Sequence, residues 1–304
     1  MDTDIGGSVA GMRVPRLGVL LPSFAEDPGP AIDVAVSAEV AGLDGVFCYD
    51  HLFPMEQPER PALAALGLLA AVACRTERIV LGPLVSRVTI VDPGVLVAGL
   101  TSLAAIAGRE RFVAAIGTGD GASRPEQRAY GLGFPPLAER LATARAVLDQ
   151  LAVAGVTAWI GGRSAAVRDT AAAAGVALNL WDAMPGDVRS ALASGVPDVT
   201  WGGPLSAAVD GNAAVDGNAA AGGNADGAVE GTRDQPADPA GAPRGRGRPD
   251  GPALARWALT LAEAGASWVV FGPPADADWP DVMDRLTLTA SILAAGREGG
   301  PKGQ

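Results

Sequence analysis

The sequence predicts an α/β protein built as a closed (β/α)8 barrel. Short β-rich runs alternate with longer Ala/Leu-rich runs from Arg16 to Ala295, eight strand–helix units can be drawn, and 48% of the residues are apolar. A parallel sheet covered by helices needs this rhythm and this apolar content, and eight units favour closure over an open sheet.

Arg16–Leu21 reads as the first strand and Ala31–Ala41 as its helix. Gly45–Tyr49 is the second strand, followed by a loop and a helix from Pro61, since proline suits a first helical turn, to Arg75. Arg78–Val85 is the third strand, and Asp92-Pro93 opens a helix ending near Gly108. Arg111–Ile116, a loop and a helix over Pro136–Ala154 form the fourth unit. Val156–Ile160 with Ser164–Ala174 forms the fifth, and Val176–Leu180 with Asp187–Ala193 the sixth. Val199–Trp201, a short and weak strand, and Ala253–Ala264 make the seventh; Ser267–Phe271 and a closing helix over Asp281–Ala295 make the eighth.

The tract 206–252 breaks the pattern with a crude repeat, Val209-Asp-Gly-Asn-Ala-Ala-Val-Asp-Gly-Asn218, then Pro, Arg and Gly. A segment this poor in large apolar residues cannot offset its ordering entropy, so it is expected to be a disordered linker. The expected organisation is a tail over 1–14, one barrel over 15–297 interrupted by 206–252, and a tail over 298–304. By this count the linker leaves the seventh strand on the face where barrel active sites lie.

A formal charge of −11 argues against nucleic acid as a partner, and the basic run Arg244–Arg248 sits within the linker. The N-terminus lacks the apolar stretch of a signal peptide, and Ala62–Cys74 is too short to span a bilayer, so a cytoplasmic protein without membrane contact is expected. Cys48 and Cys74 have no metal-ligand spacing and read as reduced, buried side chains; no metal site is expected.

Three loops at C-terminal strand ends hold most of the reactive groups. Asp50-His51 follows the second strand, and His51, the only histidine, can exchange a proton near neutral pH. A turn histidine capped by its neighbour would use the same two residues. Gly117-Thr118-Gly119-Asp120-Gly121 follows the fourth strand; its glycines admit a close backbone approach by a ring or phosphate, and Asp120 adds an acid–base group, though a simple turn would also explain the run. Gly161-Gly162-Arg163-Ser164 opens the fifth helix and gathers backbone N–H groups, a hydroxyl and a guanidinium, a combination suited to an anion. No serine-nucleophile, zinc-protease or Walker motif competes with them.

Four stretches then stand out together: Ala41-Gly-Leu-Asp-Gly-Val-Phe-Cys-Tyr-Asp-His-Leu-Phe-Pro54, Arg75-Thr-Glu-Arg-Ile-Val-Leu-Gly-Pro-Leu-Val85, Gly108-Arg-Glu-Arg-Phe-Val-Ala-Ala-Ile-Gly-Thr-Gly-Asp120 and Trp159-Ile-Gly-Gly-Arg163. In order and spacing they resemble the luciferase-like monooxygenase superfamily, and within it the branch using the deazaflavin coenzyme F420. The resemblance runs from about Arg16 to Trp181 and returns over Ala253–Pro273. It implies an oxidoreductase that exchanges a hydride with a small organic substrate. Asp50, His51 and Asp120 would serve the reacting centre, with His51 handling a substrate proton. Leu84 and Val85 would carry a non-prolyl cis peptide behind the cofactor ring, Gly117, Thr118 and Gly119 would line it, and Gly161, Gly162, Arg163 and Ser164 would hold its phosphate.

The chain also departs from the family pattern. The usual proline after the third-strand bulge is replaced around Arg87, the common arginine before the third helix is Val91, and the late insertion is the low-complexity tract. FMN with oxygen chemistry is the first alternative, and a barrel that binds a flavin or F420 without turning it over is the second. The resemblance further implies a possible homodimer through the second and third helices.

Overall fold

The computed structural model describes residues 14–54, 57–209 and 248–298. In chain order the elements are β1 (Arg16–Leu20), α1 (Gly29–Val40), β2 (Gly45–Cys48), α2 (Ala65–Ala73), β3 (Val80–Pro83), β4 (Ser86–Arg87), α3 (Pro93–Ala107), β5 (Val113–Gly117), α4 (Arg124–Ala129), α5 (Leu137–Val153), β6 (Thr157–Gly161), α6 (Ala165–Ala174), β7 (Ala177–Trp181), α7 (Pro185–Ala193), β8 (Val199–Pro204), α8 (Gly251–Glu263), β9 (Ala266–Gly272) and α9 (Trp279–Glu298).

All strand pairings are parallel, in the order β3-β2-β1-β9-β8-β7-β6-β5-β4. The two ends of that order, β3 and β4, are halves of the one expected third strand. The Leu84–Val85 peptide between them is cis. β3 pairs backward with β2, β4 pairs forward with β5, and an isolated bridge joins Leu81 to Phe112. The expected eight-stranded barrel is therefore present, and it closes through a third strand that changes partner halfway along.

Alternation along each strand sorts the side chains into two cores. One set, including Leu17, Val19, Val46, Ile116, Ile160, Trp201 and Phe271, packs beneath the helices. The other set fills the barrel: Leu20, Phe47, Val113, Ala115, Trp159, Trp268 and Val270. Phe47 stacks on Trp159 at 5.4 Å and meets the Trp268 ring edge-on at 5.6 Å, while the two indoles lie 5.7 Å apart. Gly45 makes this possible, because a Cβ there would sit 2.7 Å from the Trp268 ring and 2.9 Å from that of Phe47.

Several boundaries differ from expectation for local reasons. The second helix begins at Ala65 rather than Pro61, since the Leu63 N–H is engaged by the Ser23 carbonyl at 2.8 Å. The seventh strand is not weak: β8 spans six residues, paired on both sides and buried. Cys48 is buried, but Cys74 is exposed; it is the C-cap of α2, beyond the helix's buried face. The low-complexity tract and both tails lie mostly outside the described residues. Its described edges are structured: Ala207 and Ala208 are buried, and the Asp250 side chain caps α8 by accepting the Ala253 N–H at 2.8 Å. Among the described residues no helix is long and apolar enough to cross a membrane.

Candidate active site at the barrel mouth

Strand register brings the predicted loops to one rim. Arg87 stands opposite Gly117, and Gly117 opposite Gly161, so the C-terminal ends of β4, β5 and β6 are adjacent. Val85 rises between them. A Cβ on Gly117 would lie 2.5 Å from one Val85 methyl, and a Cβ on Gly161 2.9 Å from the other. These two glycines thus admit the third-strand bulge, where the sequence had suggested room for a ligand.

Asp50 and His51 leave β2 toward the same rim, but they do not pair with each other. The carboxylate of Asp50 accepts the backbone N–H of Arg87 at 3.3 Å, while its carbonyl accepts from the Arg87 guanidinium at 2.9 Å. His51 turns to Glu126 of α4, with Nδ1 at 3.0 Å from Oε2. The other Glu126 oxygen, Oε1, accepts from Arg87 Nη2 at 2.8 Å and from the Leu52 N–H. The Glu126 and Arg87 side chains are only 3% and 5% exposed. This is a buried ion pair with an imidazole attached to its outer oxygen.

Burial alone would raise the Glu126 carboxyl, but hydrogen bonds and charge from His51 and Arg87 outweigh it and hold the group down to about 2. Asp50 goes the other way: burial lifts it above the ordinary aspartate value, and Arg87 offsets only part of that. Burial also pushes the neighbouring Cys48 thiol up to about 12 and raises the Tyr49 phenol. Tyr49, Phe24 and Trp181 wall the mouth. Tyr49 stacks on Phe24 at 5.7 Å and approaches Trp181 at 5.8 Å and the His51 ring at 6.0 Å.

The remaining predicted residues have local tasks. The Asp120 carboxylate accepts both the N–H and the hydroxyl of Ser123 at 2.9 Å, securing the turn before α4. Gly119 needs its left-handed φ of +73° for that turn. The Thr118 carbonyl accepts from Arg140 at 2.7 Å, and the Gly119 carbonyl accepts from the same guanidinium. Arg140 also lies 4.1 Å over the Phe134 ring. With Arg124 and Arg128 it lines an open cleft of about 640 Å³ beside this loop. On β6, Ser164 caps α6 through the Val167 N–H at 3.3 Å, and Arg163 reaches away to Asp187 at 3.2 Å. The anion-binding groups expected at 161–164 therefore already have partners, save the backbone at the helix start.

Sequence reading missed α4, Glu126 and the Arg87 side chain as site components. The signal present, Ser123-x-x-Glu126, has the form of a helix capping box. In the fold Ser123 makes no side-chain cap, and Glu126 points inward to Arg87 and His51.

Comparison with known proteins agrees with this architecture. Residues 12–154 match the family described as luciferase-like monooxygenase. An F420-dependent glucose-6-phosphate dehydrogenase of Nakamurella multipartita is 38% identical over 121 residues, 39% of this chain and 34% of the relative. The corresponding protein of Beutenbergia cavernae is 36% identical over 158 residues, 51% of this chain and 46% of its own. The chain thus matches less than half the length of these relatives. Among solved structures, an F420-dependent secondary alcohol dehydrogenase in complex with an F420-acetone adduct aligns with a TM-score of 0.66 over 92% of this chain and 99% of its own at 12% identity. Monooxygenase RslO1 from Streptomyces bottropensis aligns with a TM-score of 0.67 over 93% and 99% at 14% identity, likenesses of fold. Over residues 12–154, which include the third-strand break at Leu84–Val85, this chain is similar in sequence to the luciferase-like monooxygenase family, and over nearly its whole length it shares the fold of the solved structures.

Proposed function

We propose that this protein is an oxidoreductase that transfers a hydride between coenzyme F420 and a small organic substrate. One observation carries the reading: His51 is anchored on a buried Glu126–Arg87 pair at the same rim as the Val85 bulge and the strand ends at Gly117 and Gly161. The sequence relatives named F420-dependent dehydrogenases support it. The rim also suits an anionic ring system, since Arg87 Nε and Nη1 are buried without a hydrogen-bond partner among the described residues.

Leu84, Val85, Gly117, Thr118 and Gly119 line the ring in this proposal, and Gly161, Gly162, Arg163 and Ser164 hold the phosphate, Arg163 by leaving Asp187. When bound, F420 supplies a two-electron hydride acceptor or donor. His51 takes the substrate's hydroxyl proton as hydride leaves the adjacent carbon, or returns it in the reverse direction. Asp50 stays beside it as a hydrogen-bonded carboxyl, and Asp120 holds the loop that covers the ring and serves as the second acid–base group. Tyr49, Phe24 and Trp181 exclude water from the mouth.

His51→Ala should lower turnover by about 10²–10⁴, the worth of a positioned acid–base group, with an unchanged unfolding midpoint. Turnover within a factor of two of wild type would remove His51 from the mechanism. FMN is the second reading, because an FMN-bound monooxygenase component from Pseudomonas putida shares the fold. Titration with both cofactors separates the two: F420 should bind more tightly, and preferential FMN binding would overturn the proposal.

A cytoplasmic homodimer through α2 and α3 belongs to the same proposal. Val95 and Ile106, three helical turns apart on α3, are 62% and 56% exposed, which supports an apolar contact face. A monomeric mass in light scattering would exclude the dimer.

A further inference from the structure

A neutral imidazole can carry its hydrogen on either nitrogen. We propose that Glu126 is a positioning residue that keeps a hydrogen on His51 Nδ1, so that the ring exchanges protons only through Nε2. This inference rests on His51 being the proton carrier for its consequence in catalysis, but not for its geometry.

The two Glu126 oxygens are used differently. Oε1 already takes two donors, Arg87 Nη2 at 2.8 Å and the Leu52 N–H. Oε2 is left to His51 Nδ1 at 3.0 Å. A carboxylate paired with buried Arg87 can only accept, so the shared hydrogen must sit on Nδ1. The other groups around the ring do not compete for it: the Asp50 carboxylate is engaged by the Arg87 N–H, and Phe24 and Tyr49 present aromatic rings at 6.1 and 6.0 Å. Because α4 brings Glu126 from far along the chain, the folded loop after β5 decides the chemistry of a residue after β2.

Glutamine at position 126 should reverse the arrangement. The Leu52 N–H and Arg87 would both still donate to one oxygen, which fixes the amide carbonyl there and turns the NH2 toward His51. Nδ1 would then have to accept, placing the hydrogen on Nε2.

His51 is the only histidine in the chain, so tag-free protein labelled with 15N-histidine gives a single ring to read. In the full chain without cofactor or substrate, at a pH where the ring is neutral, wild type should show a pyrrole-type Nδ1 and a pyridine-type Nε2. In Glu126→Gln the tautomer ratio should shift at least about tenfold toward Nε2–H, the factor a charge-assisted hydrogen bond supplies. A wild-type ring dominated by Nε2–H overturns the inference, whether or not the variant folds. So does a folded E126Q that keeps Nδ1–H, which is the result expected if Glu126 merely pins the loop. In turnover, E126Q should lose kcat with KM within about twofold. A flipped tautomer with unchanged kcat would leave the positioning intact and instead refute the assigned role of His51.

Discussion

The barrel mouth shows how far burial, more than pairing itself, sets what a charged residue is worth. Arg87 and Glu126 are almost fully enclosed, whereas Arg163 and Asp187 are 52% and 46% exposed. Glu126→Ala strands a buried guanidinium and should cost about 3–5 kcal/mol, visible as a large drop in the urea midpoint. Arg163→Ala should stay within about 1 kcal/mol in the same assay. The Glu126 carboxyl is held down to about 2 from an ordinary 4.5, so its contribution is complete above the ordinary value and lost as pH falls through the folded one. Acid unfolding of wild type should therefore steepen between about pH 4.5 and 2, and Glu126→Gln should lack that component. At this scale His51 was legible because it is unique and follows a strand. Glu126 was not, since a glutamate three residues after a serine at a helix start reads as a cap.

At the scale of elements, the split third strand organises both the seam and the site. β3 and β4 must part to pair on opposite sides, and glycines on β3 itself and on β5 and β6 make room for the break. A Cβ on Gly82 would fall on the Val113 carbonyl oxygen, a backbone atom that cannot rotate away. Gly82→Ala should therefore pry β3 from β5 and cost at least about 1–3 kcal/mol in thermal unfolding. Gly117→Ala meets a Val85 methyl instead, 2.5 Å from the new Cβ. It should destabilise by a similar amount and weaken cofactor binding, and adding Val85→Ala should recover part of the loss. A coupling of at least about 0.5 kcal/mol in the double-mutant cycle is expected, and additive effects would show that the two residues do not share this space. By residue pattern Arg78–Val85 is one continuous strand, and only the family resemblance marks Leu84–Val85 as a bulge; the change of partner comes from barrel closure.

For the whole molecule, two cores with different tasks share one sheet. The helix-facing core holds the layers together, while the inner core of Phe47, Trp159 and Trp268 plugs the barrel below the mouth. Trp159 is 4% exposed and contacts both other rings. Trp159→Ala should cost about 3–5 kcal/mol by leaving a cavity, with a lower thermal midpoint and a loosened rim above it. The first and last elements are also tied: Arg297 of α9 donates to the Pro15 carbonyl at 2.7 Å and pairs with Asp44 at 2.9 Å. Within Trp159-Ile-Gly-Gly-Arg163, nothing beyond strand alternation marks Trp159 as pointing inward.

The α/β class, the eight-unit rhythm and the loops at positions 50, 118 and 162 could all be read along the chain, because periodicity and glycine placement are local properties. The folded arrangement was needed to show that the third strand changes partner to close the barrel and that Gly117 and Gly161 make room for Val85. It alone also showed His51 answering to Glu126, 75 residues away, and Asp50 answering to Arg87. Those choices depend on which side chains meet across a closed ring. Register and burial settle that, and neither is written in any single segment.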